Sequence, residues 1–389
     1  MRLASQKVYA VGGGVNPTMA EPFDTWEKAH TNLNELETYL IGGCEVELGE
    51  GEFVVTNHLV LSQCVQYHGR GIDRTIVRCA NCRAFYLNNE RALVENLTVT
   101  NGNGRPYSGS GYEEPGLGIC IGSSGGTVRG CRVTGSKSSS LYQRGSLAVT
   151  GSKGHASHCI IDHNTATSGA DSYAGLFVSH GHADNCLVYS NVSTSAGGLA
   201  IHGNADAMVS NCTFTANTAT TTSSGGLRYV FMSYSPSHDI VNCIFAGNVG
   251  CARATTPTGG GQFDINELDF IWSGGYHWGD NQVAADKIRG VLKHCCFNLV
   301  DEDAALGTDG LNADPRFANA SACDYRLVET PRAERSPCVD AGLYAPWMND
   351  ATDLDGNVRV KHVLRGKGRV DIGCYESAYW PLGFMLIVR

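Results

Sequence analysis

The amino-acid sequence predicts an all-β fold: a right-handed parallel β-helix with an N-terminal capping helix and a C-terminal segment outside the repeat. Three observations predict it. A cysteine-centred motif returns every 26 to 31 residues through the middle of the chain, a short alternating apolar run precedes most copies, and an asparagine stands five residues after four of them. A period between about 20 and 50 residues marks a solenoid or a propeller.

The motif is x-Cys-x-apolar: Gly130-Cys131-Arg132-Val133, His158-Cys159-Ile160-Ile161, Asn185-Cys186-Leu187-Val188, Asn211-Cys212-Thr213-Phe214, Asn242-Cys243-Ile244-Phe245 and His294-Cys295-Cys296-Phe297. Successive cysteines lie 28, 27, 26 and 31 residues apart, then 52 across an insertion, and Glu95-Asn96-Leu97-Thr98-Val99 is an earlier copy with leucine in place of cysteine. The preceding runs place Leu147/Val149, Leu176/Val178 and Leu199/Ile201 on one side of a strand, because side chains alternate between faces. Asn164, Asn191, Asn217 and Asn248 share one position in the unit. Asparagine tolerates left-handed turn geometry, and its amide can bond to the same amide one coil away. A propeller blade needs four strands and about 40 residues, which 26 to 28 cannot supply.

Composition agrees. The chain has 389 residues, beyond the roughly 250 to 300 at which one compact core stops growing. Its 48 glycines exceed the usual share of about 7 %, and its 17 % charged residues fall below the usual ~25 %. Both suit turn-rich coils. At 42 % hydrophobic it is too apolar for disorder, and its 11 prolines carry no collagen period. A net charge of −9 gives no basic field for phosphates, so nucleic acid is not an expected partner. No run of about 18 apolar residues predicts a membrane-spanning helix.

Three regions follow. Residues 1–50 hold a strand and a capping helix, for which Asp24-Thr25-Trp26-Glu27 is a capping-box pattern and Trp26, Ala29, Leu33, Leu36 and Leu40 the apolar face. Residues 51–300 hold the coils, interrupted at 101–115 and 251–290. Residues 301–389 form a terminal cap. A solenoid needs lids because its end coils would otherwise expose core and strand edges.

Val8-Tyr9-Ala10, Phe23-Asp24-Thr25-Trp26, the Asn-Cys-Thr-Phe-Thr-Ala-Asn coil at 211–217, Ser336-Pro337-Cys338-Val339-Asp340-Ala341-Gly342, Asp353-Leu354-Asp355-Gly356-Asn357 and Val370-Asp371-Ile372-Gly373-Cys374-Tyr375-Glu376 carry a resemblance. Together they resemble secreted bacterial right-handed parallel β-helix proteins of the choice-of-anchor Q type. That resemblance implies an extracellular or cell-surface protein, although the first residues depart from the pattern in lacking the apolar run of a secretory signal. Similar β-helices include pectate lyases, polygalacturonases, epimerases and adhesins, so the group implies no single activity. Ile161-Asp162-His163 and Ser179-His180-Gly181 resemble fragments of pectate-lyase and polygalacturonase motifs, without their companion aspartates.

The cysteine column is expected to fill the interior, as small, often buried hydrophobes do. No metal site is expected from it, because tetrahedral sites need convergent ligands. Cys79-Ala80-Asn81-Cys82 is an unmatched Cys-x-x-Cys pair, and a Cys338–Cys374 disulfide is considered on the expectation of export. His155 and His182 both stand four residues before their cysteines and should stack. Asp353-Leu354-Asp355-Gly356-Asn357 carries the clustered oxygens of a calcium loop without its downstream glutamate; a tight turn is expected, with Ca²⁺ the alternative.

Beside the leucines of the preceding runs, the outward line carries the candidate chemistry. A uronate-cleaving lyase needs a cation for the carboxylate, a base for the proton beside it and an acid for the leaving oxygen. Arg228 or Arg144, His202 or His180, and Tyr173 or Tyr142 suit those parts, with Asp171 nearby. A hydrolase needs two carboxylates about 5 to 9.5 Å apart, and only Asp171 and Asp184 offer themselves, so elimination fits better. In the insertion at 251–290, Trp272, Tyr276 and Trp278 offer flat faces to sugar rings; alternatively, these aromatics cover the outward stripe of Ile160, Leu187 and Ile244. The leading expectation is therefore a protein that binds an acidic polysaccharide and cleaves it by elimination. The alternative is a non-catalytic surface or adhesive spacer.

Overall fold

A computed structural model describes residues 6–13, 17–104, 115–138, 144–168, 172–203, 206–221, 223–231, 239–251, 267–272, 290–299, 307–364 and 367–378. The chain is a right-handed parallel β-helix. Three long parallel sheets run its length, two of ten strands and one of eight, and a four-stranded ribbon lies beside them. Ten strands at about 4.8 Å spacing make a column about 43 Å long.

One coil shows the rule. Leu147–Val149 lies in the eight-stranded sheet, Gly154–Ser157 in the first ten-stranded sheet, Ile160–Asp162 in the second, and Thr165–Ala166 in the ribbon. The next coil repeats the order at Leu176–Val178, Gly181–Asp184, Leu187–Tyr189 and Val192–Ser193, in register residue for residue. The strand just before each cysteine is the one the apolar pattern does not reveal. It sends one residue inward per coil, as small as alanine at Ala156 and Ala183, and a single inward position gives no alternation to read.

The corners explain the motif. The residue before the cysteine is left-handed in every coil, with φ of +60° at Gly130, +53° at His158, +51° at Asn185 and Asn211, +54° at Asn242 and +50° at His294. Only Gly, Asn and His occupy this place, in keeping with their tolerance for positive φ. A second left-handed corner comes one residue before the ladder asparagines, at His163, Ser190, Ala216 and Gly247. Turn geometry thus sits beside the asparagines and not on them. Their amides do form the ladder: Asn164 Nδ2 donates to Asn191 Oδ1 at 2.9 Å, Asn191 to Asn217 at 3.0 Å and Asn217 to Asn248 at 3.0 Å, and the ladder ends where Asn248 Nδ2 donates to Glu267 at 2.6 Å.

Inside, Cys131, Cys159, Cys186, Cys212, Cys243 and Cys295 are fully buried in the main core. Each thiol donates to the carbonyl two residues earlier, as Cys186 does to Asp184 at 3.2 Å. Burial is the first cause pushing the Cys131, Cys212 and Cys243 thiols well above their usual range. Phe214, Phe245 and Phe297 stack on successive coils at 4.8 and 5.4 Å, each pair adding about 1 kcal/mol beyond its burial.

The N-terminal cap is present, but in two pieces. A 3-10 turn, Trp26–Lys28, has no side-chain cap, and the one-turn helix Leu33–Leu36 is capped by Asn32, which accepts from Asn34 and Glu35. The side-chain cap is therefore Asn32 and not Asp24, the first residue of the expected capping box. Leu33, Leu36 and Ala29 are buried as expected. Among the described residues no helix is long and apolar enough to cross a membrane.

Coils continue past residue 300 to the strand Leu311–Asn312. The chain then turns back along the outside of the second ten-stranded sheet and covers its apolar stripe. Tyr325 and Cys374 pack with Leu187 and Tyr189, and Leu327, Cys338, Val339 and Ile372 with Ile244, Ala246 and Cys296. This corrects the alternative in which the aromatics of 251–290 cover Ile160, Leu187 and Ile244. The cover is the C-terminal segment.

Its seam is the column of left-handed corners. His158 Nε2 meets Thr352 O at 2.9 Å, Arg359 donates to Asn185 Oδ1 at 2.8 and 3.0 Å, Asn242 Nδ2 donates to Leu343 O at 2.9 Å, and His294 Nδ1 meets Ala341 O at 3.3 Å. Fully buried Arg359 also holds Glu376 at 2.5 Å and the Gly373 carbonyl at 2.5 Å.

Two further expectations are settled here. All sixteen cysteines are free thiols. Cys338 does not pair with Cys374; it lies against Cys296, while the Cys374 amide donates to Thr213 Oγ1 at 3.1 Å. Asp353 forms the expected tight turn, accepting from Asp355 N, Asn357 N, Asn357 Nδ2 and Glu376 N at 2.7 to 3.0 Å. Asp355 is paired with Arg326. Those oxygens are already engaged, which does not fit a Ca²⁺ site.

Candidate functional site

The outward face of the eight-stranded sheet carries a register column: Val60, Tyr86, Cys120, Ala148, Phe177, Ala200, Arg228 and Asp269. Alternation dictates it, since Leu147, Leu176, Leu199 and Leu227 one residue earlier are fully buried in the core. Ala148 and Ala200 flank Phe177, and these short side chains leave space over the sheet. Tyr173 fills it. It enters from the connection before its strand, bridging to Arg144 on one coil and Ala196 on the next. Gly145 lets the Phe177 strand lie this close: at φ +74° a Cβ there would lie 2.7 Å from the Phe177 Cβ.

Four sequence-selected residues meet at this place. Tyr173 Oη and His202 Nε2 are 2.6 Å apart, and their rings lie 5.3 Å centroid to centroid. The Arg228 guanidinium carbon stands 5.5 Å from the Tyr173 ring centre, and that of Arg144 stands 5.8 Å from Phe177. Phe177 stacks on Tyr173 at 6.0 Å and meets the His202 edge at 5.6 Å. Cation–π contacts of this kind contribute about 0.5 to 2 kcal/mol each. The sequence pattern gives Phe177 an outward place but no role. Here it is the floor of the cluster.

Electrostatics follow from the packing. His202 is only partly exposed, and its pKa is lowered to about 3 by burial first, then by the charges of Arg144 and Arg228. The imidazole is therefore neutral at ordinary pH. Two tautomers are open to it: the Tyr173 hydroxyl donates to Nε2, or Nε2–H donates to the phenol oxygen, leaving Nδ1 as a free base. Tyr173 is fully buried and Arg228 is 7 % exposed. Burial suits Tyr173 to orienting His202 and not to protonating a substrate directly.

His180 lies outside the cluster. It follows the strand Leu176–Val178, its Nδ1 meets Ser179 Oγ at 3.3 Å, and the described ring contacts of His202 are with Tyr173 and Phe177. Trp272 ends the last strand of this sheet, its Cα paired with Phe231. Asp171, Tyr142, Tyr276 and Trp278 lie outside the described residues, as do Tyr107, Tyr112 and most of both insertions. Asp184, the other carboxylate weighed for hydrolysis, belongs to the first ten-stranded sheet and pairs with His155.

Three more of the histidines, His155, His182 and His163, have structural partners. His155 and His182 stack on adjacent coils with ring centres 6.3 Å apart. Asp162, fully buried, accepts from Arg132 at 2.7 and 2.9 Å and meets His163 at 2.6 Å. Among the described residues no group of three His, Cys, Asp or Glu side chains is arranged to hold a metal ion. Compared with protein-family models, with curated proteins and with solved structures, the chain matches none of them.

Proposed function

We propose that the protein is an extracellular or cell-surface β-helix that binds an acidic polysaccharide and cleaves it by elimination at the Tyr173–His202 cluster. The observation that carries this reading is a neutral histidine, hydrogen-bonded to a buried tyrosine, between two guanidinium groups. Arg144 and Arg228 supply charge for a uronate carboxylate, and a cation at that carboxylate acidifies the neighbouring C–H. His202 takes that proton. The electron pair becomes a carbon–carbon double bond, the glycosidic C–O bond breaks, and the leaving oxygen receives the proton from His202. Tyr173 holds the imidazole in place.

A base with a pKa near 3 is weak, but part of that depression comes from the two arginines. A bound carboxylate cancels their field, so His202 becomes more basic when the substrate is present. The resemblance to the choice-of-anchor Q type supports the extracellular setting. Incubation with a panel of uronate-containing polysaccharides, followed by absorbance of unsaturated products, tests the proposal. Product formed by the wild type and reduced at least 100-fold in His202→Gln is expected; no product from any substrate overturns it. The second reading, a non-catalytic adhesive spacer, is favoured by the burial of Tyr173 and Arg228. It expects retained glycan binding and no product in the same assay.

A further inference from the structure

The Cys-x-x-Cys pair at Cys79 and Cys82 lies at the edge of the core that holds the cysteine column. Cys79 ends the strand Thr75–Cys79, and the chain then turns through Ala80 and Asn81, both exposed, with Asn81 left-handed at φ +62°. The turn brings the two thiols into hydrogen-bond contact, and Cys82 also donates to Val55 O at 3.3 Å. Both are nearly buried, at 3 % and 5 % exposure, just beneath the exposed turn.

The pair is asymmetric. The contact between the two thiols raises the Cys79 thiol and lowers that of Cys82; burial opposes the fall at Cys82, and the Ala80 amide and the Arg83 charge assist it. Arg83 is fully buried and fixed, its Nε donating to Gly116 O at 2.7 Å. A thiol beside a fixed cation and a second thiol, next to the surface, has the features of a redox-active cysteine with its resolving partner. The column cysteines, Cys131 to Cys295, belong to the same core but have no exposed surface at all.

We propose that Cys79 and Cys82 form a reversible dithiol–disulfide couple that exchanges with small-molecule disulfides, Cys82 attacking and Cys79 resolving. The Cys82 thiolate attacks one sulfur of the small disulfide, forming a mixed disulfide and releasing one thiolate. Cys79 then attacks the Cys82 sulfur, the Cys79–Cys82 bond forms, and the second thiolate leaves. The two protons given up by the protein end on the two released thiols. The protein is oxidised by two electrons and the small disulfide is reduced by two.

Equilibration of the full chain in buffers of graded reduced and oxidised glutathione tests this, with acid quench, alkylation and digestion after arginine. Arg78 and Arg83 bracket the pair, so it emerges as a short peptide free of other cysteines. The expected result is a reversible loss of two hydrogens from that peptide in oxidising buffers, with Cys79→Ser retaining one glutathionyl group on Cys82 and Cys82→Ser retaining little on Cys79. Alkylation of both cysteines in every buffer that leaves the wild type folded overturns the couple. Equal trapping in the two variants overturns the assignment of attacker and resolver. If neither variant folds, the wild-type titration still decides whether the couple exists.

Discussion

Asn191 shows how much one residue holds. Its Oδ1 accepts from the Asn164 amide and backbone N–H at 2.9 and 3.1 Å, and its Nδ2 donates to Ile161 O and to Asn217 Oδ1. Asn191→Ala leaves several of these groups unpaired in a fully buried place, each costing about 1 to 3 kcal/mol. A destabilisation of about 3 kcal/mol in denaturant unfolding is expected, larger than that of Asn248→Ala at the ladder's end. The ladder is legible in the sequence because amide-to-amide bonding demands the same place in every coil. Tyr173 and His202 are also legible as polar residues beside a regular strand. The depth of Tyr173 is not, because it depends on two short side chains, Ala148 and Ala200, on neighbouring coils.

Among the elements, the C-terminal segment is the most consequential. It contributes no coil after Leu311–Asn312, yet it covers the second ten-stranded sheet from Ile160 to Cys296. Arg359 is its pin. Arg359→Met strips Glu376, Asn185 Oδ1 and the Gly373 carbonyl of buried donors, a change that costs about 3 to 5 kcal/mol. Limited proteolysis is expected to release fragments from 313–378 at a denaturant concentration where the coils remain folded. Loss of the coils and the segment in one step shows instead that they form a single cooperative unit. The sequence offers Asp353, Asp371 and Glu376 as a signature without their meaning. In the structure Asp353 orders its turn and donates order to Glu376 through the Glu376 amide, while Asp371 caps Asp340 and Ser377.

For the whole molecule, two buried groups set opposite limits on pH stability. The His202 pKa falls from 6.5 to about 3, through burial and then the two arginines. The unfolded chain therefore binds a proton that the folded chain refuses, and stability falls as pH drops from 6.5 towards 3. The Glu376 pKa rises from 4.5 to about 8 through burial, Arg359 opposing and Asp371 adding to the rise. Folded protein holds that proton longer, so stability falls as pH rises from 4.5 to 8. Burial outweighs the single guanidinium of Arg359, and the nearby Asp371 carboxylate adds to it, which is why a proton stays. The two effects oppose each other between about 4.5 and 6.5, and a plateau is expected in that window, with each limb worth a few kcal/mol. Thermal unfolding across pH checks this: His202→Gln should flatten the acid limb and Glu376→Gln the alkaline one.

By itself the sequence determined the coil. Period, alternation, the buried cysteines and the amide ladder repeat with a fixed spacing, and a pattern that repeats is visible without coordinates. Tertiary structure alone decided what lies against the outside of the stack. Which side the C-terminal segment covers, which thiol Cys338 faces and which residues gather around His202 arise from contacts between places far apart in the chain. No local propensity encodes such contacts; they follow from where outward residues of successive coils leave room.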